Sequence, residues 1–238
     1  MSISLKRAGA IFVKDYKEFS RNYAVSISLL FPIILALLFR GAIPSLNGAF
    51  AFGLVLNTSF VLLTCLTQAC LIAEEKEHNT LRSLMMTPAT TMDVLIGKST
   101  LVFIMSAVGL AIATYIIGYE PASIWAFAVA IIISIILYIA AGAICGLFSN
   151  TLLEASLSIL PVAFVFTAAP WGAFLEDDFP IFKVLDYLPS SQLVHLLGIR
   201  NIGFTTGELL KPLLIILAWT VVFTIISVVL YQRRLKDE

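Results

Sequence analysis

Six apolar runs dominate this chain, and none of them contains Asp, Glu, Lys, Arg or His: Tyr23–Phe39, Ala49–Ala73, Ser99–Tyr119, Ala122–Phe148, Ala155–Leu175 and Pro212–Tyr231. A helix needs about 20 mostly apolar residues to cross the hydrocarbon core of a bilayer. A backbone surrounded by lipid must also satisfy its polar groups internally, which helices do. The runs therefore predict an all-α polytopic membrane protein with six transmembrane helices in one domain, residues 1–238. Charged residues make up 13% of the chain and apolar ones 60%, against about 25% charged in soluble domains. Pro32 in the first run, and Pro161 with Pro170 in the fifth, predict kinks or breaks.

Charge placement orients the bundle. Lysines and arginines number eleven in the N-terminal segment, the loop after the second run and the C-terminal tail, and four elsewhere. The positive-inside rule then puts both termini and the loop 74–98 in the cytoplasm. The polar, basic stretch 1–22 does not resemble a cleavable signal, so the first run is expected to remain as an anchor. Within it, Ile11, Phe12, Tyr16 and Phe19 lie near one helical face, with Lys14, Asp15, Lys17 and Glu18 assigned largely elsewhere. That pattern predicts an amphipathic interfacial helix, with a plain basic tail as the alternative. On the other side, residues 176–211 carry short apolar stretches broken by Pro180 and Pro189. They are too short to span and predict interfacial or re-entrant helices that cap the outer end.

Several chemistries find no support. Charge-free spans offer no proton relay, although sodium coupling through hydroxyl and backbone oxygens stays open. His78 and His195 lie outside the spans, which disfavours a Ser–His enzyme in the membrane. Cys65, Cys70 and Cys145 lack metal-ligand spacing and read as packing thiols. The sequence GKST at 97–100 lacks the earlier glycine of a phosphate loop, because position 92 is methionine, and no strand precedes it. No nucleotide site is expected in this chain, and the balanced net charge gives no argument for nucleic acid.

The loop itself has a defined design. Asn79 tolerates left-handed backbone angles, Thr80 suits an N-cap, and Leu81, Leu84 and Met85 recur at helical spacing. Pro88 disfavours helical geometry at Thr87 and ends the segment. A helix of about two turns results, with an apolar face that needs a partner.

The stretch EEKEHNTLRSLMMTPATTMDVLIGK resembles the segment after the second span of ABC-2 type permeases, the membrane subunits of a class of ABC exporters. Glu75, Lys76, Glu77, Thr80, Leu81, Leu84, Thr87, Pro88, Gly97 and Lys98 carry the likeness, with Asn79 where glycine is frequent. The N-terminal helix, the six spans and LPSSQLVHLLGIRN extend it over the chain. The resemblance implies that Glu75, Glu77, Thr80, Leu81, Leu84, Met85, Thr87 and Pro88 form a coupling helix and its flanks against a separate ATPase subunit. It also implies ATP and Mg in that partner, with no cofactor here, and two ATPases with two permeases, identical or paralogous. The expected product is a multi-pass protein of a bacterial cell membrane that exports a hydrophobic or amphipathic peptide, toxin, drug or lipid. A scaffold that merely anchors a cytoplasmic partner is the alternative.

At 100° per residue, Asn57, Thr64 and Gln68 fall near one line of the second span, continued by Glu75. The stripe is expected to face a pathway or subunit interface, or else to make interhelical hydrogen bonds. Leu71 is expected on the membrane-facing side. Gly142 and Gly146 form a GxxxG that suits close helix packing.

Overall fold

In a computed structural model, residues 5–21, 27–41, 48–77, 91–175, 179–199 and 206–237 are described. They are helices and short connections, with no strand among them. The N-terminal helix α1 runs Leu5–Arg21. A 3₁₀ turn, Ile27–Leu29, leads into α2, Leu30–Arg40. The second span comprises α3, Gly48–Ser59, a π-helical turn, Phe60–Cys65, and α4, Leu66–Glu77. Next come α5, Thr91–Ile117, and α6, Ile124–Phe148. The fifth span is α7, Leu152–Ser158, then α8, Leu160–Ala168, then a 3₁₀ stretch, Ala169–Phe174. A 3₁₀ segment, Pro180–Tyr187, and α9, Pro189–Gly198, precede the long α10, Thr206–Asp237.

Five of the six expected spans are long and apolar enough to cross a bilayer, while the first is a shorter apolar stretch, Ile27–Arg40. At 1.5 Å per residue that stretch reaches roughly 21 Å, short of the ~30 Å hydrocarbon core. Two boundaries also differ from the hydropathy reading. The third span begins at Thr91 rather than Ser99, because Asp93 and Lys98 are buried within its first two turns and so do not end the helix. The last begins at Thr206 and runs through Pro212.

The second span is the hub, with 67% of its window buried against 17% for the last. The fourth span lies against it almost backbone to backbone. A Cβ built on Gly142 would come 2.4 Å from the Cys65 carbonyl oxygen, and one on Gly146 2.7 Å from that of Ala69. No side chain fits there, so the GxxxG is a packing device. Phe60 stacks on Tyr138 with ring centroids 5.1 Å apart, tightening the same contact. In the fifth span the helix breaks at Ile159, ahead of Pro161, and turns 3₁₀ at Ala169 beside Pro170.

Candidate functional site

At the end of the bundle that carries residue 77 and the start of α5, four charged side chains converge. Ile11 and Asp15 are one turn apart on α1, and both face inward: Ile11 packs with Ile72, Val94, Ala143, Leu147 and Tyr231, while Asp15 is 0% exposed. The helical face therefore includes Asp15, which corrects its expected place among the outward charges. Its angle about the helix, some 40° from Ile11 at 100° per residue, was available from the sequence. Lys98 reaches the same point from α5 and is 1% exposed. Its Nζ lies 3.0 Å from Glu75 Oε1 and 3.4 Å from Asp15 Oδ2, and donates to the Leu71 carbonyl at 3.2 Å. Lys14, partly exposed, donates to Glu75 Oε1 at 3.2 Å and stands 3.9 Å from Asp15 Oδ1.

Two anions and two cations thus tie α1, α4 and α5 together. Buried charges are tolerated when paired and bonded, and Glu75 is the better served of the two acids. Asp15 is held by charge at distances longer than a good charge-assisted hydrogen bond. Burial pushes its carboxyl pKa above the ordinary value of 3.8, against the opposing pull of Lys98.

Lys76 and Glu77 stitch the same foot to the fourth and fifth spans. Lys76 Nζ donates to the Leu147 and Ser149 carbonyls at 2.8 and 2.6 Å, placing a cation at the C-terminus of α6 where the helix dipole favours one. Glu77 Oε2 accepts from the Leu152 N–H at 2.8 Å, at the N-terminus of α7. Thr151 caps that helix by accepting from Glu154 N, and Glu154 reaches back to the Asn150 N–H. Thr80, Leu81, Leu84, Met85, Thr87 and Pro88 lie outside the described residues.

The profile of the ABC-2 family transporter proteins matches residues 39–229. The chain belongs to the ABC-2 family. No curated protein matches it. The family match makes it a membrane component of an ABC transporter, a multi-pass protein of the cell membrane whose family works with an ABC ATPase and is not itself catalytic.

In this ABC-2 permease the polar stripe of the second span is closed off inside one chain. Asn57, Thr64 and Gln68 are each 0% exposed. Asn57 Nδ2 donates to the Ser190 carbonyl at 3.2 Å, and Thr64 Oγ1 donates to Ser106 Oγ at 2.8 Å. Interhelical bonding, one of the two expectations for the stripe, describes these two within the chain. The cause is the central position of the second span, which neighbours surround on every side; Leu71, expected toward lipid, is 3% exposed for the same reason. Gln68 finds no hydrogen-bond partner for either amide atom among the described residues. At the opposite end a recess of about 510 Å³ is lined by Lys183, Asp186, His195, Glu208 and Lys211, among others. His195 Nε2 stands 3.5 Å from Asp186 Oδ1 on its wall.

The residues that sequence reasoning missed are Lys14, Asp15 and Lys98 acting as a unit with Glu75. Their signal is weak but real: an acid on the apolar face of an amphipathic helix, and a lone lysine at the start of a span.

Proposed function

We propose that this permease is the transmembrane subunit of an ATP-driven exporter, coupled to a separate ATPase through residues 78–90. The observation that carries the proposal is the rooting of that segment at both ends. Glu75, Lys76 and Glu77 fix its start to α1, α5, α6 and α7, and Lys98 fixes the helix that follows it. A segment held at both roots transmits displacement of its apolar helix to four spans instead of absorbing it by local bending. The family membership supports the same reading.

In this reading Leu81, Leu84 and Met85 enter the ATPase, Thr80 caps the coupling helix and Pro88 ends it. ATP and Mg bind in the partner. Two ATPases serve two permease subunits, the second identical or paralogous, in a bacterial cell membrane with both termini cytoplasmic. The long apolar spans suit an amphipathic or hydrophobic cargo, such as a peptide, toxin, drug or lipid, moved outward.

Copurification with the candidate ATPase tests the joint. Burial of one leucine is worth about 1.5–3 kcal/mol, and aspartate adds a desolvation cost, so Leu84→Asp should lower recovery well over tenfold. Undiminished recovery with normal transport would remove residues 78–90 from the coupling role. A wild-type complex whose ATPase responds to no amphipathic compound, and which moves none, would instead indicate a non-transporting anchor.

A further inference from the structure

The π-helical turn Phe60–Cys65 interrupts the second span midway. Its closing hydrogen bond runs from the Leu66 N–H to the Val61 carbonyl, five residues back. One such turn holds one residue more than an α-helix would over the same length. The α4 half, Leu66–Glu77, is therefore set back about 100° from where an unbroken helix would carry it. In the unbroken register Asn57, Gln68 and Glu75 share one line; in the described register they do not.

Three observations bear on the alternative. Gln68, wholly buried, bonds to no group among the described residues. The Cys65 carbonyl at the end of the π turn is accommodated only because position 142 lacks a side chain. And the sequence places a second glutamate, Glu74, directly before Glu75. Closing the π turn into α geometry moves each α4 residue into the place of the one after it. Thr67 then occupies the site of Gln68, where its hydroxyl can bond to the carbonyl four residues back. Glu74 occupies the site of Glu75 against Lys98, so the charge cluster is refilled. The contacts given up include Ser28 Oγ to Thr67 Oγ1, 3.0 Å, Cys70 Sγ to Ser156 Oγ, 4.0 Å, and those of Lys76 and Glu77 with the connection between α6 and α7.

We propose that the second span is a two-register element, in which the π turn closes and α4 slips by one residue while a glutamate stays on Lys98. The described register ties the foot of the second span to α6 and α7; the slipped register frees it from them and keeps it on α5. This concerns the chain alone and does not depend on the ATPase reading.

The test uses oxidative crosslinking in membranes, with Cys65, Cys70 and Cys145 replaced by alanine. Ser28→Cys with Thr67→Cys reports the described register, and Ser28→Cys with Leu66→Cys reports the slipped one. Deleting Leu62 removes the extra residue, so α geometry then holds the flanks in the described register permanently. Both pairs should crosslink in the undeleted chain. In the deletion background the Thr67 pair should persist and the Leu66 pair should fall at least tenfold. A Leu66 pair that fails in the undeleted chain, or that survives the deletion unchanged, overturns the proposal. So does a Leu62 deletion that abolishes folding as fully as deletion of Leu54 in α3, since a true π turn absorbs the loss.

Discussion

Replacing Lys98 by methionine keeps much of the side-chain volume and removes the cation that Glu75 Oε1, Asp15 Oδ2 and the Leu71 carbonyl share at 3.0, 3.4 and 3.2 Å. Asp15 and Glu75 are 0% and 3% exposed, so water cannot take over. Lys14 stays near both but is 36% exposed in its side chain, and its compensation is screened. Breaking a buried pair by removing one partner costs about 3–5 kcal/mol, which for a chain of this size corresponds to a drop of roughly 6–20 °C in melting temperature. Thermal stability of detergent-purified protein, read by size-exclusion chromatography after heating, is a direct assay. The triple variant Asp15→Asn, Glu75→Gln, Lys98→Met should recover most of the loss, because it leaves no buried charge unpaired. The pH dependence has a definite sign. The folded-state pKa of Asp15 is raised, so its contribution to stability is fully present below its ordinary value of 3.8 and is lost as pH rises through the folded value. Asp15→Asn alone should therefore be at least as stable as wild type near neutrality and lose that advantage in acid. Likewise the penalty of Lys98→Met should shrink as pH falls. A Lys98→Met variant that melts within 2 °C of wild type, or a triple variant no better than the single one, would refute the electrostatic account of the cluster.

Gly142→Leu should prevent accumulation of folded protein, since even a Cβ there meets the Cys65 carbonyl at 2.4 Å; Gly9→Ala, with open space around it, should not, and expression with monodisperse elution compares them. Gln68→Leu should hold or raise stability by about 1–3 kcal/mol, because it removes a buried amide with no partner among the described residues; a clear loss of thermal stability would show that the amide is bonded after all. Cysteines introduced at positions 2 and 237 should be protected from impermeant reagents in intact cells, and one at position 177 should react; labelling of either terminus from outside would reverse the topology.

Much of the architecture was legible because lipid imposes a blunt rule: a charge-free run of sufficient length becomes a helix. The breaks around Pro161 and Pro170 and the close packing at Gly142 and Gly146 follow from single-residue chemistry and were equally accessible. What escaped was tertiary. Hydropathy began the third span at Ser99 because it treats Lys98 as solvent-bound, whereas Lys98 is 1% exposed and paired. The stripe Asn57, Thr64, Gln68 could be aligned on a wheel, but no wheel tells which of several surrounding helices it meets. Nor does any local propensity mark the π turn, which depends on a glycine 77 residues away in the chain making room for the Cys65 carbonyl. The apolar coupling face at Leu81, Leu84 and Met85 remains a statement of the sequence alone.

The bond from Asn57 to the Ser190 carbonyl joins residues 133 positions apart. At about 5–20 residues per second, a ribosome takes roughly 7–27 s to synthesise the chain between them. For that interval the Asn57 amide, in the most enclosed helix of the finished bundle, is without the carbonyl that will later receive it. The second span is thus made early and completed late: the helices that flank it follow within about the next seventy residues, but the carbonyl that receives its Asn57 amide arrives only with α9.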